Sequence, residues 1–362
     1  MAYYLPGRAL FSGGKIYDPL PILADRYESR AAHHFEHPTP YPPIAIIFLS
    51  PLSLLRYEYA VSIWSLFEFS SFVITSLLLL RHFGGRKAST PVILTLLLVI
   101  PWRPIFTDLY VGQMMMFLGL LLILAWLALR SDRELVAGLL LGIVLALKFY
   151  GWPILVLLLL TKRFTAVAAA LSLFVAANLV GVAVVGLPTT IEYYSTISPA
   201  ISSIYREDPF NFSLSGVGFR LGGTWLALVL PLFGLAGSLA LALRSSSRDS
   251  AYVIMLTASI ILAPIAWFHY LVTLVPALCF IAARTNIQKK ELIVATLIIV
   301  AVIFGFESYA HQYSAFATWP PLALVLGTIW MLRPSVFVTE NEISQNQTAF
   351  HQRLLNTRAI SS

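Results

Sequence analysis

Two ionisable side chains stand inside apolar runs, where a charge is costly and therefore a candidate for chemistry. Glu68 lies in the middle of the run Tyr59–Leu80, and Lys148 ends the run LLLGIVLALK. Lys148 precedes Phe149-Tyr150-Gly151-Trp152-Pro153. Gly and Pro break a helix there, so the ammonium is expected at the outward tip of a hairpin of two short helices, facing a cavity. The plainer readings are a snorkelling lysine and a carboxylate paired with a neighbouring helix. A polar stretch further on, Arg206-Glu207-Asp208-Pro209-Phe210-Asn211-Phe212-Ser213-Leu214-Ser215, is followed by Arg220. Arg206 and Arg220 flank NFSLSG, and the planar arginine fork suits a phosphate; ordinary solvated loop charges are the alternative. Gly112-Gln113 opens the apolar run Met114–Leu129, and a helix start offers free N–H groups to an anion. His269 lies in Ala263-Pro264-Ile265-Ala266-Trp267-Phe268-His269-Tyr270, inside the apolar run Ala251–Ala283. Pro264 should end one membrane helix there, with Trp, His and Tyr at the wet edge. His269 is then an interface anchor or part of a site.

Other chemistries find no support. His33, His34 and His37 cluster, but no acidic or cysteine spacing accompanies them, so a metal site is not expected. A Walker loop, a GxSxG elbow and an HExxH pair are missing, and no cofactor is called for. The single cysteine, Cys279, lies in an apolar run and excludes a disulfide framework.

The elements that must position these residues are membrane helices. Of the 362 residues 58% are hydrophobic and 11% charged, against about 25% charged in soluble domains. The net charge of +7 does not point to nucleic acid, because the basic residues sit in short loops between apolar runs. The opening residues do not read as a cleavable signal peptide. Residues 1–42 are expected to form an extracytoplasmic segment without a span, 43–333 a transmembrane helical domain, and 334–362 a disordered cytoplasmic tail. The expected segments are Tyr59–Leu80, Pro91–Phe106, Met114–Leu129, Leu135–Leu147 with Trp152–Leu160, Phe164–Leu187, Thr224–Leu243, two helices around Pro264, Leu292–Phe306 and Pro320–Leu332. Tyr41–Leu55 is short and proline-rich and reads as re-entrant or interfacial. The fold class is an all-α polytopic membrane protein of about ten or eleven membrane segments.

Orientation follows from lysine and arginine. Arg81, Arg86, Lys87, Arg130, Arg133, Lys162, Arg163, Arg244, Arg248, Arg284, Lys289, Lys290 and Arg333 fall on one side, expected to be cytoplasmic. Residues 1–42, a loop around Asp108, a long loop 188–222, the Trp267–His269 turn and Glu307–Ala317 fall on the other. That outer side holds nearly all the unpaired chemistry.

Six stretches carry a resemblance. AYYLPGRALFSGGKIYD, YPPIAIIFLSPLSLL, the Gly-Gln before a helix, AGLLLGIVLALK, NFSLSG with a downstream Arg, and LAPIAWFHYLV occur in this order over residues 2–275. Together they resemble glycosyltransferase family 87, membrane enzymes of the GT-C type that include polyprenol-phosphate-mannose-dependent mannosyltransferases. The resemblance implies a GT-C bundle with its site in extracytoplasmic loops, in the plasma membrane. It implies transfer of a sugar, mannose first, from a polyprenyl-phosphate donor to an envelope glycolipid or polysaccharide. Gln113, Lys148, Asn211, Arg220 and His269 fall on family motif positions, and Tyr41, which opens the second stretch, joins Arg206 among the substrate-binding candidates. The family pattern has an Asp, the expected base, after a first helix and shortly before the Tyr pair. Here Tyr3-Tyr4 follow Met1-Ala2 directly. The reading therefore expects a start codon placed too late, an inactive relative, or another carboxylate in that role, with Asp18 and Asp108 as substitutes. One His, His269, stands where the family often has a pair. The transfer needs a base for the acceptor hydroxyl and cations for the departing phosphate: Arg220, Lys148 and Arg206, with His269 on the phosphate or acceptor. The competing readings are a transporter or flippase of a lipid-linked sugar and a non-catalytic subunit of an envelope-assembly complex.

Overall fold

The computed structural model describes residues 3–29, 37–83, 89–245, 247–284 and 318–332. Among these residues every regular element is helical. The expected segment Leu292–Phe306, the loop Glu307–Ala317, the tail, His33, His34, Arg86 and Lys87 lie outside the described residues.

The chain opens with two short helices, α1 (Tyr4–Phe11) and α2 (Leu20–Tyr27). Both bury one apolar side: Tyr4, Leu5, Ala9, Leu20, Leu23 and Ala24 belong to the core. Helix α3 (Pro43–Leu49) starts with its proline at N1 and runs into a 3₁₀ turn, Ser50–Leu54. The pair reaches about 20 Å at most, short of the ~30 Å hydrocarbon layer.

Among the described residues three helices are long and apolar enough to cross a membrane: α4 (Tyr57–Phe83), α10 (Phe164–Val185) and α13 (Leu214–Leu243). A bent apolar pair, a broken span or a re-entrant loop, follows: α5 (Ser89–Val99) and α6 (Arg103–Val111), bent by 49°. Pro101 and Pro104 flank the bend, and each removes a helix donor. Between these run shorter apolar helices: α7 (Met115–Arg130), α8 (Glu134–Lys148), α9 (Trp152–Leu160), α14 (Arg248–Ile261) and Trp319–Met331. After α14 the chain turns through residues 262–267, forms a 3₁₀ segment Phe268–Leu274, and continues as α15 (Val275–Arg284).

The bundle has two chemically distinct ends. Helix α7 leads from Gln113 to Arg130 and α8 returns from Glu134 to Lys148, each about 22–24 Å long. At the far end Arg163 pairs with Asp132 and Glu134, Arg248 reaches Asp132, and Arg130 pairs with Asp249. Lys148, Gln113 and His269 stand at the opposite end. Helices α8 and α10 pack at backbone distance, because a Cβ on Gly138 would lie 2.2 Å from the Ala166 carbonyl oxygen and one on Gly142 would lie 2.8 Å from that of Ala170. Small residues four apart allow such approach in a membrane.

Two expectations need correction. The segment 188–222 is not an open loop: it holds α11 (Leu187–Glu192), a π-turn Tyr193–Ile197 and α12 (Ser198–Ile204). The Ser213 hydroxyl caps a short helical piece from Leu214 by accepting the Gly216 N–H at 3.0 Å, and the kink after it leaves the expected apolar helix to start at Thr224. Arg220 is thus helical, and the non-helical Gly222-Gly223 pair breaks α13 two residues later. Asp108 belongs to α6 and is fully buried, not displayed in a loop.

Candidate active site

The turn between α6 and α7 organises the site. Gly112 ends α6 in the left-handed region, at φ 67°, which glycine adopts without strain. The Gln113 N–H then donates to the Asp108 carbonyl at 2.9 Å. Its carbonyl accepts the Trp64 indole N–H at 2.9 Å, and the Tyr3 hydroxyl donates to the Gly112 carbonyl at 2.5 Å. With the backbone pinned from both sides, the Gln113 side chain is presented at a fixed point. Its Oε1 accepts from the Tyr41 hydroxyl at 2.5 Å and from Lys148 Nζ at 2.8 Å.

Helix α7 has no capping side chain of its own. Its orphan N–H groups are met from other helices: Glu68 Oε2 accepts from Met116 and Phe117 at 3.0 and 3.2 Å, and Asp108 Oδ2 from Met116 at 3.3 Å. The helix start that could bind an external anion holds the protein's own carboxyl groups. Trp64 and Glu68 lie one turn apart on α4 and grip this corner together.

Lys148 comes from the end of α8, where Phe149 at φ 43° and Gly151 at φ 75° turn the chain into α9. Its ammonium lies 4.6 Å from the Tyr270 ring centroid and 5.7 Å from that of Tyr41, a cation–π arrangement. His269, next to Tyr270, is 6% exposed, and its Nε2 has no hydrogen-bond partner among the described residues.

Tyr41, Gln113, Lys148 and His269 all line one cavity of ≈ 1160 Å³. Its other polar lining includes Arg103, His37, Tyr205, Asn178 and Tyr194, and no described Asp or Glu is among the lining residues. On one wall the His37 Nδ1–H donates to the Pro38 carbonyl at 2.5 Å, so Nε2 accepts from the Tyr205 hydroxyl at 2.6 Å. Burial holds the His37 imidazole below its ordinary value, against a smaller opposing effect of the Pro38 bond. Burial, with the nearby Asp208 charge, pushes the Tyr205 hydroxyl up to about 12, so it remains a donor.

The remaining sequence candidates lie apart from that lining. Asn211 is buried and works as a stitch: its Oδ1 accepts from the Ser213 and Ala266 N–H groups at 3.1 and 3.0 Å, and its amide donates to the Tyr205 carbonyl at 3.0 Å. Arg220 donates to the carbonyls of Asp208 and Asn211 at 2.7 and 2.8 Å and to the Thr318 hydroxyl at 2.9 Å. Both residues fix the segment that carries Phe210 and Phe212 into the cavity wall. The Arg206 guanidinium lies 5.4 Å from the Phe219 ring. Asp18 pairs with Arg26 at 3.4 Å, both partly exposed. Asp108 sits behind Gln113. Sequence reasoning did not single out Trp64 or Arg103, and it took Tyr270 as an interface anchor, whereas its ring lies against the Lys148 ammonium. Trp64 was findable as the residue one turn before Glu68; nothing in the linear pattern marks Arg103.

The model of glycosyltransferase family 87 matches residues 39–266. An alpha-(1->3)-arabinofuranosyltransferase of Mycolicibacterium smegmatis is 27% identical over 274 residues, 71% of this chain and 63% of that protein. One of Mycobacterium tuberculosis (strain H37Rv) is 28% identical over 204 residues, 54% of this chain and 46% of that protein. The chain thus spans less than two thirds of the length of these curated relatives. No solved structure matches.

Proposed function

The chain belongs to glycosyltransferase family 87, and from that premise we propose that it moves a sugar from a polyprenyl-phosphate donor to an envelope glycolipid or polysaccharide. The observation that carries this reading is a cavity whose lining presents the Lys148 ammonium and Arg103 but no described carboxylate. Such a wall favours an anionic ligand. The names of the relatives favour an arabinofuranosyl donor over a mannosyl one.

In the reaction the acceptor hydroxyl oxygen attacks the anomeric carbon of the sugar. The bond from that carbon to the phosphate oxygen breaks, and polyprenyl phosphate leaves with the electron pair. Lys148, fixed by Gln113, meets the charge that develops on the leaving oxygen. Tyr41 holds Gln113 from the other side and so sets the angle of Lys148. The hydroxyl proton needs a base. Among the described lining residues the His269 imidazole is able to accept it, whereas His37 Nε2 already accepts from Tyr205 and Asp18 and Asp108 stand away from the cavity. Arg220 and Asn211 act through the 205–213 segment that they fasten, and Arg206 braces it against Phe219. The cavity end faces the outer side of the plasma membrane, because the ion-paired basic loops gather at the other end.

The test is binding and turnover of matched polyprenyl-phosphate donors carrying arabinofuranose or mannose, by protein in lipid nanodiscs, with a nucleotide sugar as control. Turnover of the arabinofuranosyl lipid alone supports the full reading. Preference for the mannosyl lipid overturns the choice of sugar. Use of the nucleotide sugar in place of either lipid overturns the donor class.

A further inference from the structure

Glu68 and Asp108 are buried acids that the proposed transfer does not use. Both are fully buried, on α4 and α6, and both reach the Met116 N–H, at 3.0 and 3.3 Å. Their other oxygens, Glu68 Oε1 and Asp108 Oδ1, have no hydrogen-bond partner among the described residues. Two carboxyl groups converging on one N–H, away from water, cannot both ionise; one keeps its proton. A single negative charge then lies directly behind the Gly112-Gln113 turn. The Lys148 ammonium interacts electrostatically with Asp108 and, less strongly, with Glu68, and Gln113 Oε1 binds it at 2.8 Å. A lysine at an apolar wall needs a counter-charge, yet a carboxylate in direct contact would compete with an anionic ligand. A charge held one residue layer back answers both needs.

We infer that Glu68 and Asp108 are positioning residues that share one proton, and that their single negative charge offsets Lys148 without occupying its hydrogen bonds. The inference builds on the reading of Lys148 as the phosphate-facing cation. The other titratable groups that interact electrostatically with this cluster are Tyr3, Tyr41, His269 and Tyr270. Losing one acid leaves the other ionised, so the charge behind Lys148 persists. Losing both removes it.

Two measurements on the full-length protein, neither needing sugar transfer, test this. The first is the pH profile of Lys148 modification by an amine-directed reagent, read by peptide mass spectrometry with Lys148→Met to assign the peptide. Glu68→Gln and Asp108→Asn should each leave the profile near that of the parent. The double variant, whose amide oxygens still accept from α7, should react about tenfold faster near neutral pH, the effect of a one-unit shift. A double variant with the parental profile overturns the inference. The second is infrared difference spectroscopy of parent against each single variant near pH 7. The parent should show a protonated-carboxyl band that vanishes in both Glu68→Gln and Asp108→Asn. Its absence from the parent, or its persistence in either variant, also overturns the inference, even if the double variant fails to fold. Failure of the donor assay with both results intact would remove the transfer reading and leave the shared proton standing.

Discussion

Replacing Gln113 by Leu gives the sharpest view of how the site is held. The substitution keeps the size of the side chain and leaves the backbone bonds of residue 113 to Asp108 and Trp64 in place. It removes the acceptor that the Tyr41 hydroxyl and the Lys148 ammonium share, at 2.5 and 2.8 Å. A buried neutral donor left without a partner costs about 1–3 kcal/mol, and a charged one more. The expected loss of stability is therefore roughly 3–5 kcal/mol, large beside the net stability of a folded domain. Gln113→Glu separates stability from function. It keeps both hydrogen bonds and should unfold near the parental temperature. The new carboxylate also pairs with Lys148 and repels a phosphate, so affinity for a polyprenyl-phosphonate sugar analogue should fall by about 10- to 100-fold, the worth of one charged hydrogen bond. Thermal unfolding in nanodiscs and equilibrium binding of the analogue read the two effects. A Gln113→Leu protein as stable as the parent, or a Gln113→Glu protein that binds the analogue as tightly, would refute the reasoning.

Gly138→Ala should loosen the α8–α10 contact, because the added methyl meets the Ala166 carbonyl at 2.2 Å and Ala169 Cβ at 2.7 Å. Overpacking of this kind costs about 1–3 kcal/mol, seen as a lower unfolding temperature; an unchanged one counts against the packing. Arg220→Ala should free the 205–213 segment and raise KM for the donor more than it lowers kcat, and Arg220→Lys should restore little, since one ammonium cannot meet the Asp208 and Asn211 carbonyls and Thr318 together. Protection from limited proteolysis at residues 205–213 in both variants would oppose this. His37 sets a pH dependence. Its folded value lies below the ordinary one, so between about pH 6.5 and that lower value the unfolded chain binds more protons and stability falls as pH drops. Above that window the contribution is flat, and His37→Gln should remove the slope; a variant that keeps the parental slope would clear His37.

Much of the helical frame is legible in the sequence, because apolar runs bounded by Arg, Lys, Gly and Pro coincide with helix ends. The run Met114–Leu129 became Met115–Arg130, and Phe164–Leu187 became Phe164–Val185. The departures have local causes. Segment 188–222 reads as polar and loop-like, but its helices gain stability by packing Tyr193, Ile197 and Ile201 into the core, a tertiary effect that linear polarity hides. The apolar run Thr224–Leu243 reads correctly as a helix, but the short helical piece before it, from Leu214 to the Gly222-Gly223 kink, is hidden in a polar stretch. At the site, Lys148 and Gln113 are findable as a lone charge and a helix-start signal. That the two bond to each other across 35 positions is invisible to spacing. Asp108 and Glu68 illustrate the same limit: each reads alone as an acid near or in the membrane, and only the fold shows them on one N–H group.

The central claim is that sugar transfer occurs at the cavity wall formed by Lys148, Gln113 and His269. The direct measurement follows radiolabelled sugar from polyprenyl phosphate to a glycan acceptor, using purified parent, Lys148→Met, His269→Ala and His269→Gln proteins matched for folding in nanodiscs. The account predicts transfer by the parent. It predicts at least about a tenfold loss for Lys148→Met and His269→Ala, each removing about 1.4 kcal/mol or more of transition-state stabilisation. His269→Gln separates hydrogen bonding from proton transfer: a milder loss than His269→Ala assigns hydrogen bonding, and an equal loss assigns the base. Labelled donor left intact by the folded parent, or parental rates in Lys148→Met and His269→Ala, would contradict the account.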